Sequence, residues 1–276
     1  MGEASLIVGA SGYVGRAVLA RLRSAGVDAV AAVRSDAQDL GERILLDSQS
    51  SLDRALASDR FSQVVHLPQL TRDDVDWVID RVDGPRWVVF SSAQVASTVP
   101  APGTSLARAR EQRVLGRGGI VLRPTMIFGR GTDRNLTRTI RFLRRWRIPI
   151  LVGDGTQRID PVHVDDVADL IVNLSGRTGR PDLYEIGGGC PTPVCELLAT
   201  LCEILGVRGA QIRVPLSALR FAARAARVAG LRPDQVLRLV EDKTADDSAA
   251  RASLAWFPAP LPHRLEQAVA EALSRR

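Results

Sequence analysis

The 276-residue sequence is poor in cysteine and aromatic residues and has no long apolar run. Its three cysteines, Cys190, Cys195 and Cys202, lack the paired spacing of a zinc site, so we expect reduced thiols and no bound metal. No stretch approaches the roughly 20 apolar residues that span a bilayer, and the N-terminus lacks the basic region of a signal peptide. These absences predict a soluble, cytoplasmic protein with no membrane partner.

Acidic residues are outnumbered, and arginine supplies almost all of the positive charge. Lysine and arginine exceed aspartate and glutamate by 37 to 31, a net charge of +6, which leaves a nucleic-acid patch open. Apolar residues such as Phe142 and Trp146 interrupt the densest basic run at helical spacing, as in a half-buried helix with a solvated face. We therefore expect no nucleic-acid partner. The run consists of Arg138, Arg141, Arg144, Arg145 and Arg147.

Short β-branched runs alternate with amphipathic helical stretches in the first half of the chain. This alternation predicts an α/β fold with a doubly wound parallel sheet. Strands are predicted at residues 5–9, 28–33, 43–46, 63–66, 87–91, 120–122 and 183–186. Helices are predicted at residues 12–25, 164–174, 194–205, 216–228, 234–241 and 263–272, besides the arginine-rich helix.

A glycine pattern directly follows the first predicted strand. Gly9, Gly12 and Gly15 of GASGYVG stand between a strand and a helix, the context in which such a pattern binds a dinucleotide. Gly9 allows the tight turn, Gly12 lets backbone N–H groups approach a pyrophosphate, and Gly15 lets the helix pack closely. The positive end of the helix favours phosphate. We predict a nicotinamide dinucleotide site that also uses Ser11, Tyr13 and Val14.

The end of the second predicted strand bears on the choice between NAD and NADP. An acidic residue there binds the ribose of NAD, whereas an arginine accommodates the 2′-phosphate of NADP. This chain has Arg34, whose guanidinium suits a phosphate. We therefore predict NADP, with NAD as the alternative if Arg34 is a surface residue neutralised by Asp36.

Further motifs extend the pattern along nearly the whole chain. Taken together they resemble the extended short-chain dehydrogenase/reductase family, the NAD-dependent epimerase/dehydratase group. The resemblance implies a Rossmann dinucleotide-binding domain, residues 1–124 plus 161–187. It also implies a small, interleaved C-terminal substrate lobe, residues 125–160 and 188–276. The motifs are GASGYVG, LLD, VVHL, VVFSS, VLRPTMIFG, PVHVDDVA and DSAARASLAWFP.

The resemblance also implies where the cofactor lies. Asp47 is expected near the adenine, and Leu67 and Pro68 in a turn beside the cofactor. Pro124 is expected to border the nicotinamide, and Ser91 and Met126 are expected among the cofactor-binding residues. Ordinary structural roles stay open, since Asp47 could cap a helix and Pro124 could end a strand.

The resemblance fails at the family's catalytic pair, a tyrosine and a lysine four residues later on one helix. Aligning Glu111 with the family's glutamate places Leu106 at the tyrosine position and Arg110 at the lysine position. Leucine cannot transfer a proton, but Arg110 could orient the ribose. The chain's two tyrosines, Tyr13 and Tyr184, lie in the glycine loop and on a predicted core strand, so neither is a good proton donor.

Other positions limit the reactions and substrates that the sequence favours. Ser92 could hydrogen-bond a substrate oxygen or serve as a structural cap, and the residues after it, Ala93 and Gln94, disfavour sugar dehydration. Nucleotide sugars are less favoured because Ile159 stands where related proteins have an arginine. The nearest arginine, Arg158, is one position earlier, and in an extended segment its side chain would point to the opposite face.

The retained lobe, with PTMIFG and a DD pair, favours a substrate pocket, although the residues of the pair also have structural explanations. Asp165 and Asp166 begin a predicted helix, where capping and dipole compensation account for them. His163 is expected to be a structural histidine with satisfied hydrogen bonds.

The combination predicts an NAD(P)-dependent oxidoreductase or epimerase without the usual tyrosine, acting on a small carbonyl, hydroxyl or sugar-like substrate. Water or a substrate group would move the proton, and Ser92 would orient the substrate. The alternative is a non-catalytic dinucleotide-binding regulator or assembly factor. A homodimer through the helix that contains Arg110 is a further expectation of the resemblance.

Overall fold

The computed structural model describes residues 4–35, 37–57, 60–73, 75–99, 101–175, 180–218 and 238–274. Elements are numbered in chain order over these residues. The strands are β1 Ala4–Val8, β2 Ala29–Val33, β3 Arg43–Leu45, β4 Phe61–His66, β5 Trp87–Phe90, β6 Ile120–Pro124, β7 Ile127–Phe128, β8 Ile150–Val152, β9 Arg158–Ile159, β10 Val162–His163, β11 Leu183–Ile186, β12 Thr192–Pro193 and β13 Ile212–Val214. The helices are α1 Tyr13–Ser24, α2 Gln49–Leu56, α3 Val75–Ile79, α4 Thr104–Gly116, α5 Leu136–Trp146, α6 Val164–Leu174, α7 Val194–Ile204, α8 Ser248–Leu254 and α9 Leu261–Ser274.

A seven-stranded parallel sheet forms the centre of the molecule, with strand order β11-β6-β5-β4-β1-β2-β3. This is a Rossmann-like α/β fold, as the alternation of strands and helices predicted. The chain crosses from one edge of the sheet to its middle between β3 and β4. Open sheets of this kind bind ligands at the carboxyl ends of the strands beside such a reversal, here between β1 and β4.

Both faces of the sheet are covered, which explains why its strands are continuously apolar. Neighbouring residues point to opposite faces, so Ile7 joins one hydrophobic cluster and Leu6 the other. Helices α1 and α6 pack on the Ile7 side and on each other. Helices α2, α3 and α4 cover the Leu6 side.

A third hydrophobic cluster lies outside the sheet, between α5, α7 and α9. Helix α5 is the predicted arginine-rich helix, and its buried stripe includes Ile140 and Leu143. The expectation of a half-buried helix is confirmed for this stripe. Phe142 and Trp146 are instead 38% and 56% exposed, because their positions on α5 fall among its arginines.

Most predicted elements agree with the structure to within two residues. Helices expected at 216–228 and 234–241 lie largely outside the described residues. The described part of the second, residues 238–241, forms a turn and a bend instead of a helix. The three cysteines are free thiols. In the part of the chain that the structure describes, no helix is long and apolar enough to cross a membrane.

Candidate functional site

A cavity of about 360 Å³ opens at the carboxyl ends of β1, β2 and β4, beside the N-terminus of α1. This is the crevice that the strand order predicts. The predicted cofactor residues that line it are Gly9, Ser11, Gly12, Tyr13, Val14, Gly15, Arg34, Leu67 and Pro68.

The glycine turn is shaped by backbone that side chains would obstruct. Gly9 has φ +85°, a conformation that L-residues rarely adopt, and its carbonyl accepts from the Gly12 N–H at 3.0 Å. A Cβ at Gly15 would overlap the Gly9 carbonyl and lie 2.6 Å from the Ala10 Cα. The absence of side chains therefore brings α1 against the end of β1.

The N-terminus of α1 has room and charge for an anion. Gly12 is its N-cap and provides no side-chain cap, and the first turn contains no acidic residue. The first N–H groups of a helix have no partner within the helix, and its dipole adds positive potential there. A pyrophosphate fits this combination of open backbone donors and a close approach without Cβ atoms.

The outer end of the cavity contains Arg34 but not Asp47. Arg34 is exposed and lines the cavity together with Ser35 and Ser48. Asp47 lies just outside this wall, where its carboxylate accepts from the Ser48 hydroxyl at 3.1 Å. Ser48, and not Asp47, is the N-cap of α2. The structure thus brings Arg34 to the site and leaves Asp47 beside it.

A second cavity, of about 1050 Å³, continues from the first, since Val14 and Leu67 line both. The segments that follow β5 and β6 line part of it, and the predicted site residues among them are Ser91, Ser92, Pro124 and Met126. Residues 238 and 240–244 also line it; the sequence did not assign them to the site because a helix was expected up to residue 241.

Buried charges fix the end of β5. Glu111 on α4 is fully buried and accepts from Arg123 Nε at 2.8 Å and from the Ser91 hydroxyl. The hydrogen bond to Glu111 raises the pKa of Arg123. Ser91 therefore positions the strand end, whereas Ser92 accepts from the Gln94 N–H at 3.2 Å as the cap of a short 3-10 turn, Ala93–Ala96.

Arg110 does not reach either cavity, which corrects the expectation that it orients a ribose. Its guanidinium is buried and pairs with Asp76, while its Nη1 donates to the carbonyls of Leu70 at 2.7 Å and Arg72 at 2.8 Å. Its donors are thus used to fasten α4 to the segment before α3 and to α3 itself.

The expected helix register also placed Leu106 at the tyrosine position, yet Leu106 is 45% exposed. Residues four apart share a helix face, so Ala107 lies on the face of Glu111, which reaches Ser91. Ala107 is buried and carries only a methyl group. The face of α4 directed towards β5 therefore carries no phenol and no ammonium at this position.

Tyr13 is held against the loop after β7 and is not poised as a proton donor. Its hydroxyl donates to the Gly129 carbonyl at 3.0 Å. Burial, reinforced by the carboxylates of Asp133 and Glu271, raises the pKa of Tyr13 far above its ordinary value. Tyr184 is buried on β11 and donates to the Arg180 carbonyl at 2.9 Å.

His163 is structural, but only one of its two ring nitrogens is satisfied. Nδ1 caps α6 by accepting from the Asp165 N–H at 3.2 Å. Nε2 is buried against Gly129 and has no hydrogen-bond partner among the described residues. Burial lowers the pKa of His163 to about 4, although Asp165 opposes the shift.

His163, Asp165 and Glu271 are close enough to be considered as metal ligands. Two features disfavour such a site. Because Nδ1 accepts a hydrogen bond, neutral His163 bears its proton on Nε2 and offers no lone pair there. The Asp165 carboxylate already accepts from Arg130 Nε at 2.8 Å and from Gln267 at 3.0 Å.

The sequence model of the NAD dependent epimerase/dehydratase family matches residues 5–83 and 103–187, more than half of the chain. The chain therefore belongs to this family, and the resemblance stated from its motifs is confirmed. Its Rossmann-like sheet and glycine turn agree with that membership.

Curated relatives match only part of the chain. Short-chain dehydrogenase/reductase family 42E member 1 of Danio rerio is 28% identical over 109 residues, 37% of this chain and 28% of the relative. The 2-alkyl-3-oxoalkanoate reductase of Stenotrophomonas maltophilia (strain K279a) is 29% identical over 118 residues, 38% of this chain and 35% of the relative. The matches thus span about a third of the length of these relatives.

Solved structures match nearly the whole chain at low identity and therefore support the fold alone. One is the UDP-glucose 4-epimerase of Thermotoga maritima with UDP-glucose, with 17% identity, TM-score 0.72 and coverage of 98% of this chain and 99% of that chain. Another is the dTDP-glucose 4,6-dehydratase of Bacillus anthracis str. Ames in complex with NAD. Its identity is 13%, its TM-score is 0.76, and 100% of this chain and 98% of that chain are covered.

Proposed function

We propose that this protein is an NAD(P)-dependent oxidoreductase or epimerase that acts on a small carbonyl, hydroxyl or sugar-like compound. One observation carries the proposal: a glycine turn and an uncapped helix N-terminus lie in a cavity that continues into a second, larger one. The first suits a dinucleotide, and the second leaves room for a substrate beside it. A nicotinamide cofactor, when bound, supplies hydride-transfer chemistry.

We assign the pyrophosphate to the N-terminus of α1 and the far ribose to the cavity wall with Arg34. The guanidinium of Arg34 offers a 2′-phosphate a bidentate, permanently charged partner, so NADP is the preferred cofactor. Ser35 and Ser48 beside it add hydroxyls. The adenine would then lie towards the surface near Asp47.

In this proposal, Ser92 orients the reacting oxygen of the substrate. Its oxygen accepts a backbone hydrogen bond, and its hydroxyl hydrogen can be directed to a carbonyl. With no phenol in place, water or a substrate group moves the proton. Positioning a hydride donor and acceptor accounts for much of such catalysis, so the missing acid–base group reduces the rate without abolishing it.

We retain the division into a dinucleotide domain, residues 1–124 plus 161–187, and a substrate lobe, residues 125–160 and 188–276. The pairing of β11 with β6 and the packing of α6 on α1 support placing 161–187 with the first domain. A homodimer through α4 remains part of the proposal, and the exposed Leu106 favours it.

A non-catalytic regulator or assembly factor that binds a dinucleotide is the second candidate. The methyl group of Ala107 on the α4 face directed towards Ser91 favours it, because a protein that only binds the cofactor needs no proton donor there.

Two measurements separate the candidates. Calorimetric titration with NADPH and NADH tests the cofactor site, and absorbance at the reduced nicotinamide band tests turnover of ketones, aldehydes and keto-sugars. We expect tight NADPH binding and its slow oxidation by at least one carbonyl class. Tight binding without turnover of any of them would favour the regulator, and no binding of either nucleotide would overturn both.

The Ser92→Ala variant tests the orienting role, with Ser105→Ala on the exposed face of α4 as its matched control. We expect Ser92→Ala to lower kcat/KM about tenfold, the equivalent of one lost hydrogen bond, without changing NADPH affinity. Equal kcat/KM values in the two variants would remove Ser92 from the proposed site.

A further inference from the structure

Lys243 is the only lysine in the chain; the other 36 of its 37 lysine and arginine residues are arginines. Both its backbone N–H and its backbone carbonyl are hydrogen-bonded, to β9 and to Asp160, the residue after β9. The Lys243 N–H donates to the Arg158 carbonyl at 2.8 Å, and the Lys243 carbonyl accepts from the Asp160 N–H at 3.2 Å. Its place on the wall of the larger cavity is therefore set by main-chain hydrogen bonds.

Lys243 and Glu241 line the larger cavity together. The Glu241 carboxylate accepts from Thr98 Oγ1 at 2.7 Å and from Ser97 Oγ at 2.7 Å, and both of these residues also line the cavity. Half-buried Lys243 lies at the cavity surface two residues after Glu241.

Lys243 is half-buried, and among the described residues its ammonium forms no hydrogen bond or ion pair. Burial lowers the pKa of Lys243, although the charge of Glu241 opposes the shift. A partly desolvated ammonium without a partner is unfavourable, and an anionic ligand would relieve that cost.

The neighbouring carboxylates are already occupied. Besides the two hydroxyls, Glu241 accepts from the Thr98 N–H at 2.7 Å. Asp242 accepts from the Arg158 N–H at 2.7 Å, and Asp154 accepts from the Thr156 hydroxyl at 2.9 Å. These carboxylates accept hydrogen bonds from the loops that line the cavity. The ammonium of Lys243 therefore stays available for a ligand.

We propose that Lys243 binds an anionic group, a carboxylate or a phosphate, of a substrate whose carbonyl or hydroxyl lies at Ser92. This inference rests on the proposed function and specifies its substrate class. Ser92 and Lys243 line the same cavity. A compact ammonium on a flexible stem can follow a small anion, whereas the planar guanidinium used elsewhere in the chain selects a fixed bidentate geometry.

Because Lys243 is unique, its ammonium can be observed directly. Reductive methylation with ¹³C-formaldehyde gives one lysine signal besides that of the α-amino group, in the full chain and in the presence of NADPH. We expect this signal to shift and saturate with acetoacetate and with dihydroxyacetone phosphate. The uncharged counterparts, methyl acetoacetate and dihydroxyacetone, should leave it unchanged. A signal that responds to neither anion would overturn the inference.

Kinetics provide an independent test with Lys243→Met and Lys243→Arg. In the wild type we expect acetoacetate or dihydroxyacetone phosphate to be preferred over its neutral counterpart. Lys243→Met should lower kcat/KM for the anion about tenfold or more, through KM, because it removes a charge-assisted hydrogen bond to the substrate. Values for the neutral compounds should stay the same, and Lys243→Arg should recover part of the preference. Arg138→Met on the exposed face of α5 is the control for net charge.

The outcomes separate this inference from the proposed function. A saturable shift of the lysine signal without any turnover would leave the anion site standing and contradict the oxidoreductase. Turnover with equal preference for charged and neutral partners in the wild type and in Lys243→Met would support the oxidoreductase and overturn the anion site. If Lys243→Met does not fold, the signal of the wild-type protein still decides the inference.

Discussion

The two cavities differ in what builds them. The first is made by backbone: a turn at Gly9, a helix N-terminus and the ends of parallel strands. The second is made by side chains and loops from distant parts of the sequence, such as Ser92, Met126 and Lys243. A backbone-built site leaves its mark in local sequence, whereas a site assembled from loops depends on how those loops pack.

The largest expected effect concerns the side-chain-built region. Glu111→Ala removes the buried partner of Arg123 and of the Ser91 hydroxyl. Because an unpaired charge remains half-buried, we expect a loss of about 3 to 5 kcal/mol in the free energy of unfolding, measured by denaturant titration. Glu203→Ala, at an exposed position of α7, is the control and should change stability by less than about 1 kcal/mol. Equal losses would mean that the ion pair does not hold this region.

Gly15→Ala tests the backbone-built region. Its Cβ would overlap the Gly9 carbonyl, so α1 must move away from β1. We expect a loss of about 1 to 3 kcal/mol of unfolding free energy and a weaker NADPH affinity, measured by calorimetry. Gly116→Ala at the end of α4, where a Cβ meets nothing within 4 Å, should be neutral or stabilising by up to about 1 kcal/mol. An unchanged affinity in Gly15→Ala would separate the turn from the cofactor.

The pH dependence of stability tests the buried His163, which packs against Gly129, the residue that accepts the hydrogen bond from Tyr13. Burial lowers the pKa of His163 from its ordinary 6.5 to about 4; Arg264 and Arg130 lower it further, while Asp165 and Asp133 oppose the shift. The unfolded chain therefore binds the proton first. Stability from this residue is complete above about pH 6.5 and falls as the pH decreases towards 4, by roughly 1 to 3 kcal/mol.

His163→Gln should flatten this part of the pH profile, whereas His263→Gln, a change at an exposed histidine of α9, should leave its slope as in the wild type. Thermal unfolding in buffers from pH 7 to pH 4 measures the difference. An identical slope in wild type and His163→Gln would show that the buried ring does not supply the pH dependence.

The smallest expected effect is a change in nucleotide affinity, and it tests the choice of NADP over NAD. Arg34→Ala should weaken NADPH about tenfold and leave NADH unchanged, because the arginine meets only the 2′-phosphate. Calorimetry on both nucleotides measures the ratio, and Arg54→Ala on the exposed face of α2 is the control. Equal affinities for the two nucleotides in the wild type, unaltered in Arg34→Ala, would contradict the NADP assignment.

The α4 helix illustrates why part of the site could not be predicted. Each residue turns a helix face by about 100°, so Arg110 and Glu111 point in quite different directions although they are adjacent. Sequence placed Arg110 at the cofactor, and the structure joins it to Asp76 and joins Glu111 to Ser91. No local pattern distinguishes these two partners.

The sequence by itself determined the parallel sheet, the glycine turn and the family, because these depend on periodicity and on short-range steric limits. Only the tertiary structure decided that Arg110 is a structural cation, that one nitrogen of His163 lacks a described partner, and that Lys243 and Ser92 line one cavity. Such relations join residues far apart in the chain. They depend on which faces the packed elements turn to one another, and a one-dimensional pattern does not contain that information.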